Sequence, residues 1–381
     1  MSTAGPLAGY RVIEFAGIGP GPFAGMLLAD LGADVVLIER PAAQRSLGGG
    51  GALNRGKRSV CLDLKRPEAR DAARALVLGA DALIEGYRPG VMERLGLGPT
   101  DFEAAHPRLV YGRITGWGQS GPLAQTAGHD INYAALSGAL SIASRRGVAP
   151  SLPATMLGDL GGGALFLVIG LLSALLEARR SGRGQVVDAA IVDGLSCLSA
   201  LLLSLRGQGL WQDDPAQNFF LHESPFYDCF ECADGRYLSL GAIEPAFYRE
   251  LLLRLELGDE DPSRQYDTVD WPRLRARVAQ RLRERTRDEW VSRFEGSDAC
   301  VAPVLSLAEA AAHPHQRARG NHVEIDGQLQ ACAAPRFSRS AIRAPQAAPL
   351  PGHDGMALLL AAGIPAEQVQ SLLRDDTASG H

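Results

Sequence analysis

Three short segments of the 381-residue chain carry side chains that could move a proton. His129 lies in the sequence GHD, Asp159 in GDLGGG, and Glu244 in GAIEP. Histidine and carboxylate groups are the usual general acids and bases of enzymes. Structural roles are the alternative, because a histidine can be satisfied in a core and an acidic residue can cap a helix. We predict His129, Asp159 and Glu244 as the catalytic candidates.

The glycines that follow Asp159 are unusual at the start of a long apolar segment. Glycine within a helix costs about 1 kcal/mol relative to alanine. Gly161, Gly162 and Gly163 therefore indicate a place where another group, such as a substrate, must approach the backbone closely.

A set of basic residues could bind a polyanionic small molecule. They follow strand-like segments or a glycine-rich loop at 47–52, and α/β folds bind ligands at the carboxyl ends of their strands. On a chain with a net charge of −5, a local basic cluster indicates a phosphate site. For any single residue, the alternative is a solvated surface. The predicted set is Arg40, Arg55, Lys57, Arg88 and Arg94.

The loop AGIGPGP at residues 16–22 raises another possibility, a nicotinamide dehydrogenase. The loop lies between a predicted strand and a predicted helix, where phosphates often bind backbone N–H groups. Glu39 ends the next strand, where a dinucleotide fold keeps its ribose-binding acid. Against this, the G-x-G-x-x-G spacing is not met, and Pro20 and Pro22 remove N–H donors. A simple strand–helix turn explains the loop equally well.

Strand-like and helical segments alternate along residues 10–115, which predicts an α/β fold with a parallel sheet covered by helices. We expect a discontinuous large domain at 1–205 and 330–381, a linker at 206–224, and a smaller α+β domain at 225–329. The predicted strands are Arg11–Phe15, Ala33–Glu39, Asp81–Ile84, Arg108–Ile114, Gln185–Val192, Tyr237–Gly241 and Val301–Leu305. The predicted helices are Phe23–Leu31, Pro67–Leu78, Leu160–Arg180, segments near 245–256, 271–284 and 287–296, and a terminal pair.

The composition is typical of a soluble globular protein, with 46% hydrophobic and 21% charged residues. Its weakly acidic charge gives no reason to expect nucleic acid or a membrane as a partner. The N-terminus lacks the pattern of a secretory signal, and the longest apolar run, Ala164–Leu176, is shorter than a span of about 20 residues. Six scattered cysteines favour a reducing compartment, and Cys229 and Cys232 lack the second pair that a zinc site needs. We expect a cytoplasmic protein without a metal site.

Many segments, in one order, resemble the α-methylacyl-CoA racemase branch of the family III CoA-transferases, the CaiB/BaiF superfamily. The resemblance runs from about residue 7 to about residue 340. The segments are AGIGPGPFAGMLLADLGADVV, LIEGYRPGVMERLGLGP, TGWGQSGP, AGHDINYAALSG, GDLGGG, GQVVDAAIVDG, ECADGRY, GAIEPAFY and SDACVAPVL.

The resemblance implies a Rossmann-like large domain that binds CoA and is built from both chain ends, a smaller second domain, and an interlocked homodimer. The active site then lies between the large domain of one chain and the small domain of the other. His129 and Asp159 match the two catalytic bases, and Glu244 matches a glutamate that bonds the histidine. Arg40, Arg55, Arg88 and Arg94 match positions around the CoA, with Lys57 in the same segment as Arg55.

The implied reaction inverts the α-carbon of a 2-methyl-branched acyl-CoA thioester. One base removes the α-proton and the other delivers a proton to the opposite face, so the pair rests with one member protonated. Backbone N–H groups near Gly161–Gly163 would stabilise the enolate oxygen. The resemblance implies no metal, and no cofactor beyond the CoA carried by the substrate.

A true CoA-transferase is the main alternative. There the aspartate at the position of Asp159 attacks the thioester and passes through an anhydride to an enzyme–CoA thioester. The motifs around His129 and Glu244 favour the racemase, and also argue against a CoA-binding protein without activity. Two departures from the racemase pattern leave the acyl group open. The triplet at 153–155 is PAT instead of P-L-N, and residues 218–225 are NFFLHESP instead of N-M-L-D-G-G-A-P.

Overall fold

The computed structural model describes residues 5–40, 51–143, 145, 147–212, 214–221, 223–342 and 344–378, and these residues form two compact units. The first unit contains the described parts of Met1–Ala139, Leu152–Leu198 and Arg317–His381. The second contains those of Leu140–Ser151 and Ser199–Gln316. The predicted division differed: it placed 140–151 and 199–205 in the large domain and 317–329 in the small one. Residues 47–50 of the glycine-rich loop, and His222, lie outside the described residues.

The first unit is built on six parallel strands. They are β1 Arg11–Phe15, β2 Asp34–Glu39, β3 Arg58–Cys61, β4 Ala82–Glu85, β5 Val110–Thr115 and β6 Val186–Ala190. Their order across the sheet is β3-β2-β1-β4-β5-β6, which is the order of a Rossmann-like fold and confirms the predicted α/β class. The chain order reverses between β1 and β4, so the loops after these two strands diverge and leave a crevice at the carboxyl edge of the sheet.

Helices cover the sheet and form most of the second unit. The α-helices are α1 Pro20–Asp30, α2 Pro67–Leu78, α3 Val91–Arg94, α4 Asp130–Leu136, α5 Ala139–Ile142, α6 Leu165–Ser181, α7 Ile191–Leu198, α8 Ala200–Gly207, α9 Pro245–Arg254, α10 Trp271–Leu282, α11 Arg287–Phe294, α12 Leu307–Ala312, α13 Pro314–Arg319, α14 Gly355–Ala361 and α15 Ala366–Ala378. Short 3-10 turns occupy Gly51–Asn54, Pro99–Asp101, Pro215–Gln217, Phe219–Leu221 and Pro262–Arg264.

One core of the first unit joins residues from both ends of the chain. The four central residues of β2, VVLI, are buried, as expected for a strand with helices on both faces. Apolar residues of α2, α14 and α15 pack in the same cluster as β1, β2 and β4. The Asp354 carboxylate, just before α14, accepts the backbone N–H of Ser59 in β3 at 2.9 Å. The C-terminal segment is therefore part of the sheet's support.

A π-helix, Met156–Ala164, replaces the first turns of the predicted helix Leu160–Arg180 and runs directly into α6. Its glycines are required by packing. A Cβ on Gly162 would lie 2.9 Å from the Leu195 side chain, and one on Gly194 of α7 would lie 1.9 Å from the Gly162 carbonyl oxygen. Close contact with α7 therefore explains Gly162 and Gly163 without a substrate, and corrects the sequence interpretation for these two residues.

By length and composition, the continuous helical stretch Met156–Ser181 could cross a membrane. Its mean hydropathy is 2.0, and 44% of its most apolar window is buried. The core helix of a soluble protein passes the same test, so this single helix is weak evidence.

Thr155, which precedes the π-helix, has a backbone conformation that suits asparagine better. Its φ is 60°, in the left-handed region, where β-branched residues are rare and asparagine is tolerated. Thr155→Asn should therefore raise the free energy of unfolding by about 1 kcal/mol in chemical denaturation. Ala154→Asn is the control, because Ala154 does not have a positive φ, and it should give no gain. Equal or lower stability of Thr155→Asn would contradict the assignment of strain.

The second unit contains a three-stranded antiparallel sheet of β7 Tyr227–Glu231, β8 Tyr237–Gly241 and β9 Val301–Pro303. Phe226, Trp271 and Trp290 are buried in its core among side chains of α9, α10 and α11. Cys229 lies on β7 and Cys232 follows it, and both are free thiols. A separate hairpin, β10 His322–Ile325 and β11 Gln328–Ala331, belongs to the first unit. Among the described residues, no group of three or more His, Cys, Asp or Glu could hold a metal ion.

Candidate active site

A cavity of about 650 Å³ lies at the carboxyl edge of the six-stranded sheet. The loops after β1, β4 and β5 line it, together with the start of α4 and of the π-helix. This is the crevice that the strand order predicts. His129, Asp159 and Arg88, from three separate segments of the chain, all face this cavity.

His129 is the N-cap residue of α4, and its side chain is exposed to the cavity. Its backbone N–H donates to Asn132 Oδ1 at 3.0 Å, which fixes the entry of the chain into the helix. The imidazole is therefore held at a defined backbone position but is open to a ligand. It is not a satisfied core histidine.

Asp159 lies in the first turn of the π-helix and is half-buried. The pKa of its carboxyl group is raised to about 6, mainly by burial and also by the charge of Asp130, while His129 opposes the rise. Such a group can both give and take a proton near neutral pH. The influence of His129 on this pKa also shows that the two groups are close enough to interact.

Tyr133 and Trp117 form a wall that holds the His129 segment. The Tyr133 hydroxyl donates to the Gly128 carbonyl oxygen, and its ring meets Trp117 edge-on with centroids 4.8 Å apart. A Cβ on Gly116 would lie 2.0 Å from the Tyr133 ring, so only glycine fits there. Sequence reasoning missed Tyr133, although its position four residues after His129 places it one turn further along the same helix.

The loop at residues 16–22 lies against Asp159. Gly19 has a φ of +65°, and a Cβ there would be 3.2 Å from Asp159 Oδ2. Glycine at this position leaves space for the Asp159 carboxyl group. Glu39, the candidate ribose-binding acid, instead accepts a hydrogen bond from the Ser59 hydroxyl at 2.5 Å. Gly19 and Glu39 therefore have structural roles.

Three of the predicted CoA-binding residues have exposed side chains near the crevice. Arg88 lines the cavity in the loop after β4, and Arg40 directly follows β2. Burial raises the pKa of Tyr87, which also lines the cavity, and Arg40 is close enough to lower it. Arg94 ends α3, with its guanidinium beside Gly90. All three cations remain available to an anionic ligand.

Arg55 and Lys57 are placed differently from the prediction. They precede β3, whereas ligands bind in the crevice at the carboxyl ends of the strands. Arg55 is buried and forms two bonds to the Asp30 carboxylate, at 2.6 and 3.2 Å, and one to the Ala331 carbonyl oxygen. Lys57 Nζ contacts Glu14 at 2.7 Å with both side chains fully buried. As placed, both cations stabilise the first unit and are not free to bind CoA.

A buried ion pair supports the loop that carries Arg88. Arg113 on β5 donates to Glu85 at 2.8 Å and also pairs with Glu93 of α3 at 2.5 Å. The second oxygen of Glu85 accepts the backbone N–H of Tyr87 at 2.8 Å. Burial raises the pKa of Glu85, and the Arg113 bond opposes that rise. No local sequence pattern indicates this network, because its members are brought together only by the fold.

Glu244 lies in the second unit, as the N-cap residue of α9. The amide of buried Gln265 donates to the carbonyl oxygens of Ala242 and Ile243, at 2.9 and 2.8 Å. The Tyr266 hydroxyl donates to the Ile243 oxygen as well, at 2.8 Å. Gln265 therefore fixes the backbone before Glu244, a role that sequence reasoning missed. The predicted bond between Glu244 and a histidine stays a prediction.

The N–H groups of Gly161–Gly163 were predicted to stabilise an enolate oxygen. In a π-helix each N–H donates to the carbonyl five residues earlier. This pattern is seen for Leu160, which donates to Thr155, and for Leu165, which donates to Leu160. The glycine N–H groups lie between these two bonds, inside the helix, so the prediction is wrong for them.

The chain belongs to the family III CoA-transferases, whose family model matches residues 7–355. It is 42% identical to the alpha-methylacyl-CoA racemase of Mus musculus over 371 residues, covering 97% of this chain and 96% of the relative. It is also 42% identical to the Homo sapiens enzyme of the same name over 322 residues, covering 84% of each chain. A CaiB/BaiF family protein from Brucella suis has a similar structure, with a TM-score of 0.80, 26% identity, and coverage of 94% of this chain and 100% of that one.

Proposed function

We propose that this protein is an isomerase that epimerises the α-carbon of 2-methyl-branched acyl-CoA thioesters. One observation carries the proposal: His129 and Asp159 face one cavity, and the pKa of Asp159 lies at about 6. Two groups that can each hold or release a proton are what α-carbon inversion needs. The 42% identity to the mouse racemase over nearly the whole chain supports the same reaction.

In the proposed mechanism, His129 and Asp159 act on opposite faces of the α-carbon. One removes the α-proton, the thioester delocalises the charge as an enolate, and the other returns a proton to the far face. The reverse reaction exchanges their roles, so the mechanism requires that the pair carry one proton in the resting enzyme. CoA supplies binding energy remote from the reacting carbon, and no other cofactor or metal is needed.

We propose that Arg40, Arg88 and Arg94 bind the phosphates of CoA. All three side chains are exposed, with Arg88 at the cavity and Arg40 directly after β2, and guanidinium groups suit phosphate geometry. The Arg113–Glu85 pair indirectly supports this site, since it holds the loop of Arg88.

We also propose a cytoplasmic homodimer in which Glu244 contributes to the active site. Leu165, Ile169 and Leu176 of α6 are 46%, 58% and 69% exposed, and a second copy of the chain would cover such apolar side chains. The free cysteines of the described chain suit a reducing compartment. Sedimentation equilibrium checks the dimer, and a monomer mass at micromolar concentration would contradict it.

The test of function uses one enantiomer of a 2-methylacyl-CoA in deuterated water, with no acceptor acid present. We expect α-deuteration with loss of optical purity, measured by mass spectrometry and chiral analysis, and no loss of optical purity in His129→Ala. CoA transfer to an added carboxylic acid, with a covalent adduct on Asp159 and no α-exchange, would instead show a CoA-transferase.

A further inference from the structure

Asp130 is a second acidic residue beside Asp159, and the proposed mechanism does not use it. It is the first residue of α4, and its Oδ1 accepts the backbone N–H of Asp159 at 2.7 Å. First-turn N–H groups have no partner within their own helix, and Thr155 provides no side-chain bond to the π-helix. Asp130 therefore caps the π-helix from a neighbouring element, in the place where an anion is favoured.

The backbone leaves room for the Asp130 carboxylate at this position. A Cβ on buried Gly158 would lie 2.3 Å from Asp130 Oδ1 and 3.3 Å from the Asp130 carbonyl oxygen. Any other residue at 158 would displace Asp130 or the start of the π-helix. Glycine is therefore required at position 158 because a side chain there would occupy the space of the Asp130 carboxylate.

Among the charged groups around the π-helix, few act on Asp159. The elements packed against it are α1, α4, α6, α7, β5 and β6. Of their groups, Asp130 raises the pKa of Asp159 and His129 lowers it, while Asp159 raises that of Tyr133. The other titratable groups on these elements are Asp30, paired with Arg55; Arg113, paired with Glu85; Asp188, bonded to the Gln119 N–H; Glu177, paired with Arg180; and Tyr111, Arg179, Asp193 and Cys197.

We propose that Asp130 is a positioning residue, which fixes Asp159 at the cavity wall and holds a second carboxylate at the turn that carries it. The hydrogen bond from the Asp159 backbone N–H to Asp130 is seen in the structure, whereas its consequence for catalysis rests on the proposed function. An aspartic acid with an ordinary pKa would have no proton to donate at neutral pH. Burial and Asp130 together raise the pKa of Asp159, so that Asp159 can serve as acid in one direction and base in the other.

The test compares Asp130→Asn and Asp130→Ala with the wild type. The first readout is the pH titration of the Asp159 carboxyl signal in ¹³C NMR spectra of aspartate-labelled protein. This signal is assigned by its absence in Asp159→Asn. The second readout is the pH dependence of kcat/KM for racemisation. Asparagine keeps an oxygen acceptor but removes the charge. We expect the Asp159 midpoint and the acid limb of the profile to fall by roughly one pH unit. Alanine also removes the acceptor, so kcat should drop about 10-fold further with little change in KM.

Asp188→Asn is the matched control, because Asp188 also accepts a backbone N–H, at 3.0 Å, yet does not act on Asp159. It should change neither readout. Asp130→Ser gives a second uncharged acceptor if Asp130→Asn folds poorly, and the same shift is expected. An unchanged Asp159 midpoint in a folded Asp130→Asn or Asp130→Ser would overturn the inference. The NMR titration tests the role of Asp130 even if no racemisation is detected. Absence of racemisation would count only against the proposed function.

Discussion

Replacing either base should slow racemisation by about 10²–10⁴-fold but leave isotope exchange intact for one enantiomer. In Asp159→Asn, the remaining His129 can still remove a proton from its own face and return a deuteron there. In His129→Ala, the remaining Asp159 can do the same from the opposite face. The two variants should therefore α-deuterate opposite enantiomers without inverting them. Separate incubations of each enantiomer in deuterated water, read by mass spectrometry and chiral analysis, measure this.

Asp193→Asn is the control for these variants, because Asp193 is an exposed carboxylate on α7 that does not act on Asp159. It should racemise as the wild type does. A thermal shift on adding CoA checks that each variant still binds its ligand. If both variants exchange the same enantiomer, His129 and Asp159 do not act on opposite faces of the α-carbon, and the two-base mechanism fails.

Lys57→Met should lower the free energy of unfolding of the first unit by about 3–5 kcal/mol. The Lys57 ammonium and the Glu14 carboxylate are fully buried and 2.7 Å apart, and Lys57 Nζ also donates to the Pro22 carbonyl oxygen at 3.0 Å. Burial raises the pKa of Glu14 and lowers that of Lys57, so each charge depends on its partner. Removing the cation leaves a lone buried carboxylate. Urea unfolding, with hydrogen exchange of the strands β1–β3, measures the loss.

The double variant Glu14→Gln/Lys57→Met should lose much less, because no unpaired charge stays buried. The loss in Lys57→Met should also shrink as the pH falls, since a protonated Glu14 no longer carries the charge. Lys65→Met is the matched control, because Lys65 is exposed, and it should change stability by less than about 0.5 kcal/mol. A similar loss in the single and double variants would show that packing, not charge, is responsible.

Local patterns in the sequence predicted most elements of the fold. β1, α2 and β8 begin and end at the predicted residues, because each is an apolar or amphipathic run with a clear boundary. The strand β3 was missed, since its four residues, RSVC, begin with a charge and are too short to show a period. The π-helix could not be distinguished from an α-helix, because both favour the same residues and differ only in hydrogen-bond spacing.

Long-range pairing limits what the sequence could say about the site. Arg55 was assigned to CoA because nothing in its segment shows that Asp30, 25 residues earlier, meets its guanidinium in a buried pair. Asp130 was passed over because it follows the more conspicuous His129 in the same motif. Its contact with Asp159, 29 residues away, exists only once α4 and the π-helix are packed together. Motifs therefore pointed to the candidate bases, whereas the contacts around those candidates became visible only in the fold.

The burial of Lys57 has a chemical consequence for a protein that handles acyl thioesters. Thioesters acylate accessible amines without an enzyme, whereas guanidinium groups are inert to them. The sequence contains two lysines, Lys57 and Lys65, and nearly all of its cations are arginines. Since Lys57 is enclosed with Glu14, Lys65 is the one lysine side chain open to such damage. The chain should therefore tolerate prolonged exposure to acyl thioesters, and of its two lysines amine-directed labels should modify Lys65 and spare Lys57.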